Sequence, residues 1–305
     1  MKTPILFVIF NRLDTTQVVF EQIRLAKPEK LYVAADGPRL DRAEEAEVCQ
    51  EVRRVIDGVD WECEVYTQYQ DENLGCKLGV YKAIDWFFEN EPEGIILEDD
   101  VVPLPQFFTF CELSLLKYRE QPDIFTIQGF NQFGQGVTSD SYYYSRGFYA
   151  WGWATWRDRW KDYKLEVTKT EIKSIFDNKN YPKYVLEIVA FNLDLVRKNI
   201  LDTWDYQMLF QTISSNSFNV VPYANLTSNI GVNGAHSKNN KNVFHDYGIM
   251  DSNLLDSPEL VGDHPEFNDL LFDEFKQARV IFLVKRILLA LCIYEPVRRL
   301  VKRFT

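Results

Sequence analysis

The stretch Gly94-Ile95-Ile96-Leu97-Glu98-Asp99-Asp100-Val101-Val102-Pro103 decides how the rest of the chain is read. Three consecutive apolar residues, two of them β-branched, fit a strand buried on both faces, and the run stops in three adjacent carboxylates. In a parallel α/β sheet, ligands bind beyond the carboxyl ends of the strands, so these acids are expected to face a crevice. Three like charges side by side repel unless something positive sits among them. A divalent cation, Mn²⁺ or Mg²⁺, held between one or two of the carboxylates and substrate phosphates meets that need. An arbitrary acidic triplet is a solvated turn. Behind a buried strand it is a candidate site.

Towards the N-terminus the pattern alternates. Ile5–Phe10 reads as a strand ending in Asn11-Arg12, and apolar Val18, Val19, Ile23 and Leu25 give residues 15–25 a helical face with Asp14 or Thr15 as N-cap. Pro28 ends that helix. Leu31–Ala35 is a second strand, closed by the turn Asp36-Gly37-Pro38-Arg39. A charged helix over 41–56, a strand over 63–66 and a helix over 77–88 complete the approach to Gly94. This alternation predicts a doubly wound, mostly parallel sheet flanked by helices. The strand ends then share one edge, where Arg12 can pair with a phosphate and Asp36 can accept from a base N–H or a ribose hydroxyl.

Towards the C-terminus, 107–118 reads as a helix and Ile124–Gln128 as a strand. Two aromatic clusters follow, Tyr142-Tyr143-Tyr144 and Phe148-Tyr149-Ala150-Trp151-Gly152-Trp153-Ala154-Thr155-Trp156. Their density suggests flat platforms for a sugar ring, with part of them in the core. Residues 158–199 read as a polar, helical segment, either a connection or part of the acceptor side. Asp202-Thr203-Trp204-Asp205 opens an apolar-periodic helix, with Asp205 in the first turn, where the helix dipole favours the ionised carboxylate. After a strand over 220–223, residues 229–241 hold Gly, Asn, Lys and His236, the composition of a mobile loop able to fold over an anion.

The 305 residues suffice for a catalytic domain over 1–240 and a C-terminal extension over 241–305. A net charge of −11 argues against a nucleic-acid binder. That charge is uneven: residues 276–305 carry eight Lys/Arg against one acid, a balance of +7, which leaves −18 on the rest. Apolar runs interleaved with those cations have the composition of a basic amphipathic helix on anionic lipid; a packing or dimer helix is the other reading. Five cysteines without CxxC spacing suit a reducing compartment, so the expected location is cytoplasmic, peripheral on the inner face of the membrane if the tail binds it. No run reaches the roughly 20 apolar residues needed to span a bilayer.

Taken in order over residues 4–240, these motifs resemble a GT-A nucleotide-sugar glycosyltransferase of the N-acetylglucosaminyltransferase I type and its bacterial relatives. Asn11-Arg12 and Asp36 resemble the family's nucleotide-contacting residues, and Glu98-Asp99-Asp100 its EDD form of the DxD motif. The resemblance implies that Asp100 ligates Mn²⁺, with Asp99 near the ribose and Glu98 near the donor sugar. Residues 148–156 are similar to the family's Phe-Phe-Pro-Gly-Leu-Gly-Trp stretch, which puts Trp153 at the donor. Trp204-Asp205 resembles a Trp-Asp pair, which puts Trp204 at the donor and makes Asp205 the catalytic base, and the His236 loop resembles one that orders over the donor. The implied reaction is inverting transfer from a UDP-sugar, with UDP-GlcNAc as the candidate, to a hydroxyl of a glycan or lipid-linked acceptor. Residues 158–199 and the tail are not part of the family pattern. Other readings are a nucleotidyltransferase of sugar phosphates, a metal-dependent phosphohydrolase and a non-catalytic, membrane-recruited sugar-binding protein. The first wants a Gly-rich basic loop after the first strand, the second more acids or histidines at neighbouring strand ends, and the third has no need of Asp205.

Overall fold

The computed structural model describes residues 1–131 and 142–231, with residues 272, 275, 276, 280 and 282–288 of the tail. The apolar runs become β1 (Ile5–Ile9), β2 (Lys30–Ala35), β3 (Glu64–Tyr69) and β4 (Glu93–Glu98), linked by α1 (Leu13–Ala26), α2 (Glu45–Arg53) and α3 (Gly75–Asn90). Helical crossovers make these four strands parallel, in the order β3-β2-β1-β4. The period of two is visible in β1. Ile5, Phe7 and Ile9 join the core that holds Val19, Phe20 and Ile23 of α1, whereas Leu6 joins the opposite core with Val80, Ile84 and Phe87 of α3. The α1 N-cap is Arg12, without a side-chain cap, in place of the expected Asp14 or Thr15.

Beyond β4 come β5 (Val101–Pro103), α4 (Pro105–Tyr118), β6 (Ile124–Gln128), β7 (Tyr142–Ser145) and β8 (Trp153–Trp156). The chain continues through α5 (Arg157–Trp160), α6 (Lys169–Ser174), α7 (Lys183–Arg197), α8 (Asp205–Ser215), β9 (Phe218–Pro222) and β10 (Thr227–Asn229). The main sheet runs β3-β2-β1-β4-β8-β6-β9-β7. It is mostly parallel, as expected, but β8 is antiparallel to both β4 and β6, and β7 is antiparallel to β9. Those two reversed strands are the aromatic runs read as pocket platforms. Tyr142, Tyr143, Tyr144, Trp153 and Trp156 are all buried in the sheet instead.

Residues 158–199 are helical, as expected, and form a packed layer. A capping box, with Thr168 and Glu171 each accepting from the other's backbone N–H, starts α6. Val185, Leu186 and Val189 of α7 then pack with Leu209, Phe210 and Ile213 of α8, and Phe272 of the tail joins that cluster. The short β5 pairs antiparallel with β10 and carries the chain back over the end of β4. Among the described residues no helix is long and apolar enough to cross a membrane. The expected domain boundary near residue 240 lies outside the described residues.

Candidate active site

The end of β4 holds the acids where the sequence put them, and the positive charge among them comes from the chain itself. Arg12, one turn beyond β1, donates to Asp99 through Nη2 and to Asp100 Oδ2 through Nη1, the latter at 2.7 Å. Asp99 also accepts from the Phe10 N–H at 3.2 Å. Burial would lower the guanidinium's affinity for its proton, but the charges of Asp99 and Asp100 more than offset this and raise its pKa. The Asp99 carboxyl is pushed up to about 6, by burial first, against the pull of Arg12. An internal ion pair therefore relieves part of the repulsion among the acids.

Glu98 differs from its neighbours. Among the described residues no hydrogen bond reaches its carboxylate, and burial together with the charges of Asp100 and Asp99 pushes its pKa up to about 8. Asp205 adds to that rise, so the charge at the start of α8 acts on the end of β4. The backbone of β10 closes the same corner. The Ile230 N–H donates to the Asp100 carbonyl at 2.8 Å, and a Cβ on Gly231 would lie 2.1 Å from Asp100 Oδ2. A side chain at this position would have to displace the Asp100 carboxylate.

Asn11 and Asp36 lie at the expected edge but have partners of their own. Asn11 donates to Glu45 Oε1 at 2.9 Å, and Glu45 is ion-paired with Arg39. Asp36 accepts from the backbone of Gly37, Leu74 and Gly75 and from the Asn73 amide, at 2.8–3.1 Å. A carboxylate offers about four acceptor positions, so a nucleobase would compete with donors already in place. Asp36 thus satisfies amides at the N-terminus of α3. The next two, on Cys76 and Lys77, are taken at 2.9 and 3.0 Å by Asp202, 126 positions away from Cys76. Gly75, with φ +79°, permits this junction, because a Cβ there would meet Asp202 Oδ2 at 2.6 Å. No local pattern marks Asp202 as a helix cap, since its partners are remote.

Asp205 opens α8, as expected. Its Oδ1 accepts the Thr203 hydroxyl and, at 2.9 Å, the Tyr206 N–H. It borders a cavity of about 230 Å³ lined by Phe148, Tyr149, Trp151, Tyr206, Leu209 and Phe275 with Gly147 and Ala150. The two tryptophans assigned to the donor are not on that wall. Trp153 and Trp204 are 0 and 2 % exposed and stack on each other at 5.8 Å, with Phe148 edge-on to both. Their faces are spent on packing, and half-buried Phe148, Tyr149 and Trp151 present the open aromatic surface in their place. His236 and the rest of its loop beyond Gly231 lie outside the described residues.

Among the described residues no three carboxylate, imidazole or thiol groups converge as a metal-ligand set. A magnesium-type ion is commonly held by one or two carboxylates plus substrate phosphates, and an unpartnered Glu98 beside Asp100 fits that smaller requirement.

No family model and no curated protein matches the chain. It is similar to solved structures only distantly. HddC from Yersinia pseudotuberculosis is 12 % identical over 53 % of this chain and 80 % of that one, with a TM-score of 0.31. Mouse xyloside xylosyltransferase 1 is 11 % identical over 71 and 82 %, with a TM-score of 0.35. GlyE of Streptococcus pneumoniae is 9 % identical over 90 % of this chain and 64 % of its own, with a TM-score of 0.32. At this distance none of them carries an argument about chemistry.

Proposed function

We propose that the chain is a nucleotide-sugar glycosyltransferase that transfers the sugar of a UDP-sugar, with UDP-GlcNAc the first candidate, to a hydroxyl of a glycan or lipid-linked glycan. The observation that carries this reading is the aromatic cavity with Asp205 at its border, within electrostatic reach of the acidic strand end at Glu98. Phe148, Tyr149 and Trp151 offer faces on which a sugar ring stacks. Asp205, kept oriented by Thr203 and Tyr206, takes the acceptor hydroxyl's proton as its oxygen bonds to the anomeric carbon and the bond to the diphosphate breaks. Arg12 exchanges its carboxylate partners for the diphosphate when the donor enters. Asp100 and Glu98 are the residues that would hold Mn²⁺ or Mg²⁺. Such an ion, when bound, neutralises charge developing on the leaving diphosphate.

The test is UDP release from a panel of UDP-sugars, with and without Mn²⁺, by the wild type and Asp205→Asn. Release by the wild type, sharply reduced in the variant while donor binding persists, supports the reading. Consumption of a sugar 1-phosphate and a nucleoside triphosphate with pyrophosphate release would instead identify a nucleotidyltransferase. Sugar binding without any turnover would identify a non-catalytic binder.

A further inference from the structure

The helix that includes residues 282–288 is docked on the body by one face and bare on the other. Phe282 is 6 % exposed and meets Phe191 of α7 edge-on at 5.0 Å. Val280, Leu283, Val284 and Ile287 are 69, 45, 50 and 58 % exposed. With 3.6 residues per turn, positions 280, 283, 284 and 287 share one side and 282 points the opposite way. Lys285 and exposed Arg286 lie towards the docked side, flanking Phe282. The helix therefore turns an aliphatic stripe outward, with the two cations behind it on the flanks of the docked side.

We infer that this stripe is the surface by which the protein sits on an anionic lipid bilayer. Charge selects that occupant. Residues 276–305 carry +7 and the rest of the chain −18, so the stripe belongs to a strongly basic segment of an acidic protein. An anionic headgroup layer meets both properties together, taking the aliphatic side chains between its acyl chains and the cations at its surface. A second copy docked stripe to stripe would bring two +7 segments together, which opposes association. The stripe is too short to span and lies in the interface. Its acidic body is repelled by the same lipid and stays above it. Phe275, in the same basic segment and close in sequence to Val280, lines the cavity beside Asp205, so the bound orientation also fixes where the cavity faces. Docking itself does not depend on the transferase reading.

The experiment is co-sedimentation of the full chain with phosphatidylcholine vesicles and with vesicles in which about a third of the lipid is phosphatidylglycerol. Two double variants accompany it, Leu283→Asp with Ile287→Asp and Lys285→Glu with Arg286→Glu, each checked by its melting temperature; Leu283→Ser with Ile287→Ser replaces the first if that variant melts early. We expect binding to the anionic vesicles, weakened by salt, and weaker by about tenfold or more in both variants. Failure to bind anionic vesicles, equal binding to both vesicle types, or binding that both variants leave unchanged overturns the inference. So does a wild type that is a dimer in gel filtration and becomes monomeric in the aspartate variant without ever sedimenting with lipid.

Discussion

At the parallel end of the sheet, Arg12, Asp99, Asp100, Asp36 and Glu45 are each held by a charged or backbone partner. At the start of α8, Asp205 has two donors of its own and borders an aromatic cavity. The first wall is a network of paired charges around unpartnered Glu98, which a ligand must rearrange. The second is a largely apolar surface that a ligand can enter without breaking an ion pair. Under the proposed function, the charged part of a donor belongs to the first wall and the sugar and acceptor to the second. The difference also separates the expected consequences of mutation, since damage to the first wall acts through charge and damage to the second through chemistry.

The largest effect is expected at Asp205. Asp205→Asn keeps the shape but cannot take a proton, so turnover should fall by about 10²–10⁴-fold while donor affinity changes little. Parallel loss of donor affinity would make Asp205 a binding residue and erase the contrast between the walls. Next comes Arg12→Ala, which strands buried Asp99 beside Asp100. A cost of about 2 kcal/mol is expected in urea or thermal unfolding, below the range for fully buried pairs because Arg12 is 30 % exposed. Added Mn²⁺ should restore part of that loss if a cation can take the guanidinium's place.

Asp202→Ala should cost about 1 kcal/mol of stability, the usual weight of a helix cap. Because Asp202 ties the segment preceding Asp205 to the start of α3, kcat should fall more than donor KM rises, and Asp202→Asn should recover most of it. Unchanged kcat would limit Asp202 to a structural cap. The smallest effect concerns pH. Arg39 holds the Glu45 carboxyl down to about 2, below its ordinary 4.5. A depressed acid stabilises the folded state above the unfolded value, and that contribution disappears as pH falls from 4.5 towards 2. With Arg39 part-exposed, it should be about 1 kcal/mol or less, visible as a shallower acid-unfolding slope in Arg39→Gln.

By itself the sequence determined the strands β1, β2 and β4 and the acids and Arg12 at their ends. Buried parallel strands are short apolar runs bounded by turn residues, and such runs are local. It also placed Asp205 at the start of α8, because polar residues ahead of an apolar-periodic segment mark a helix start. Tertiary structure alone decided that the aromatic runs at 142–144 and 153–156 are reversed strands inside the sheet. A strand covered on both faces loses its alternation, and aromatic density then reads equally as core or as platform. It likewise decided that Trp153 and Trp204 stack on each other, which left the open wall to Phe148, Tyr149 and Trp151. The partners of the charges were the least legible of all. Arg12 finds Asp99 across 87 positions and Asp202 finds Cys76 across 126. Composition announces that a carboxylate needs a donor, but only the folded chain brings one within 3 Å of it.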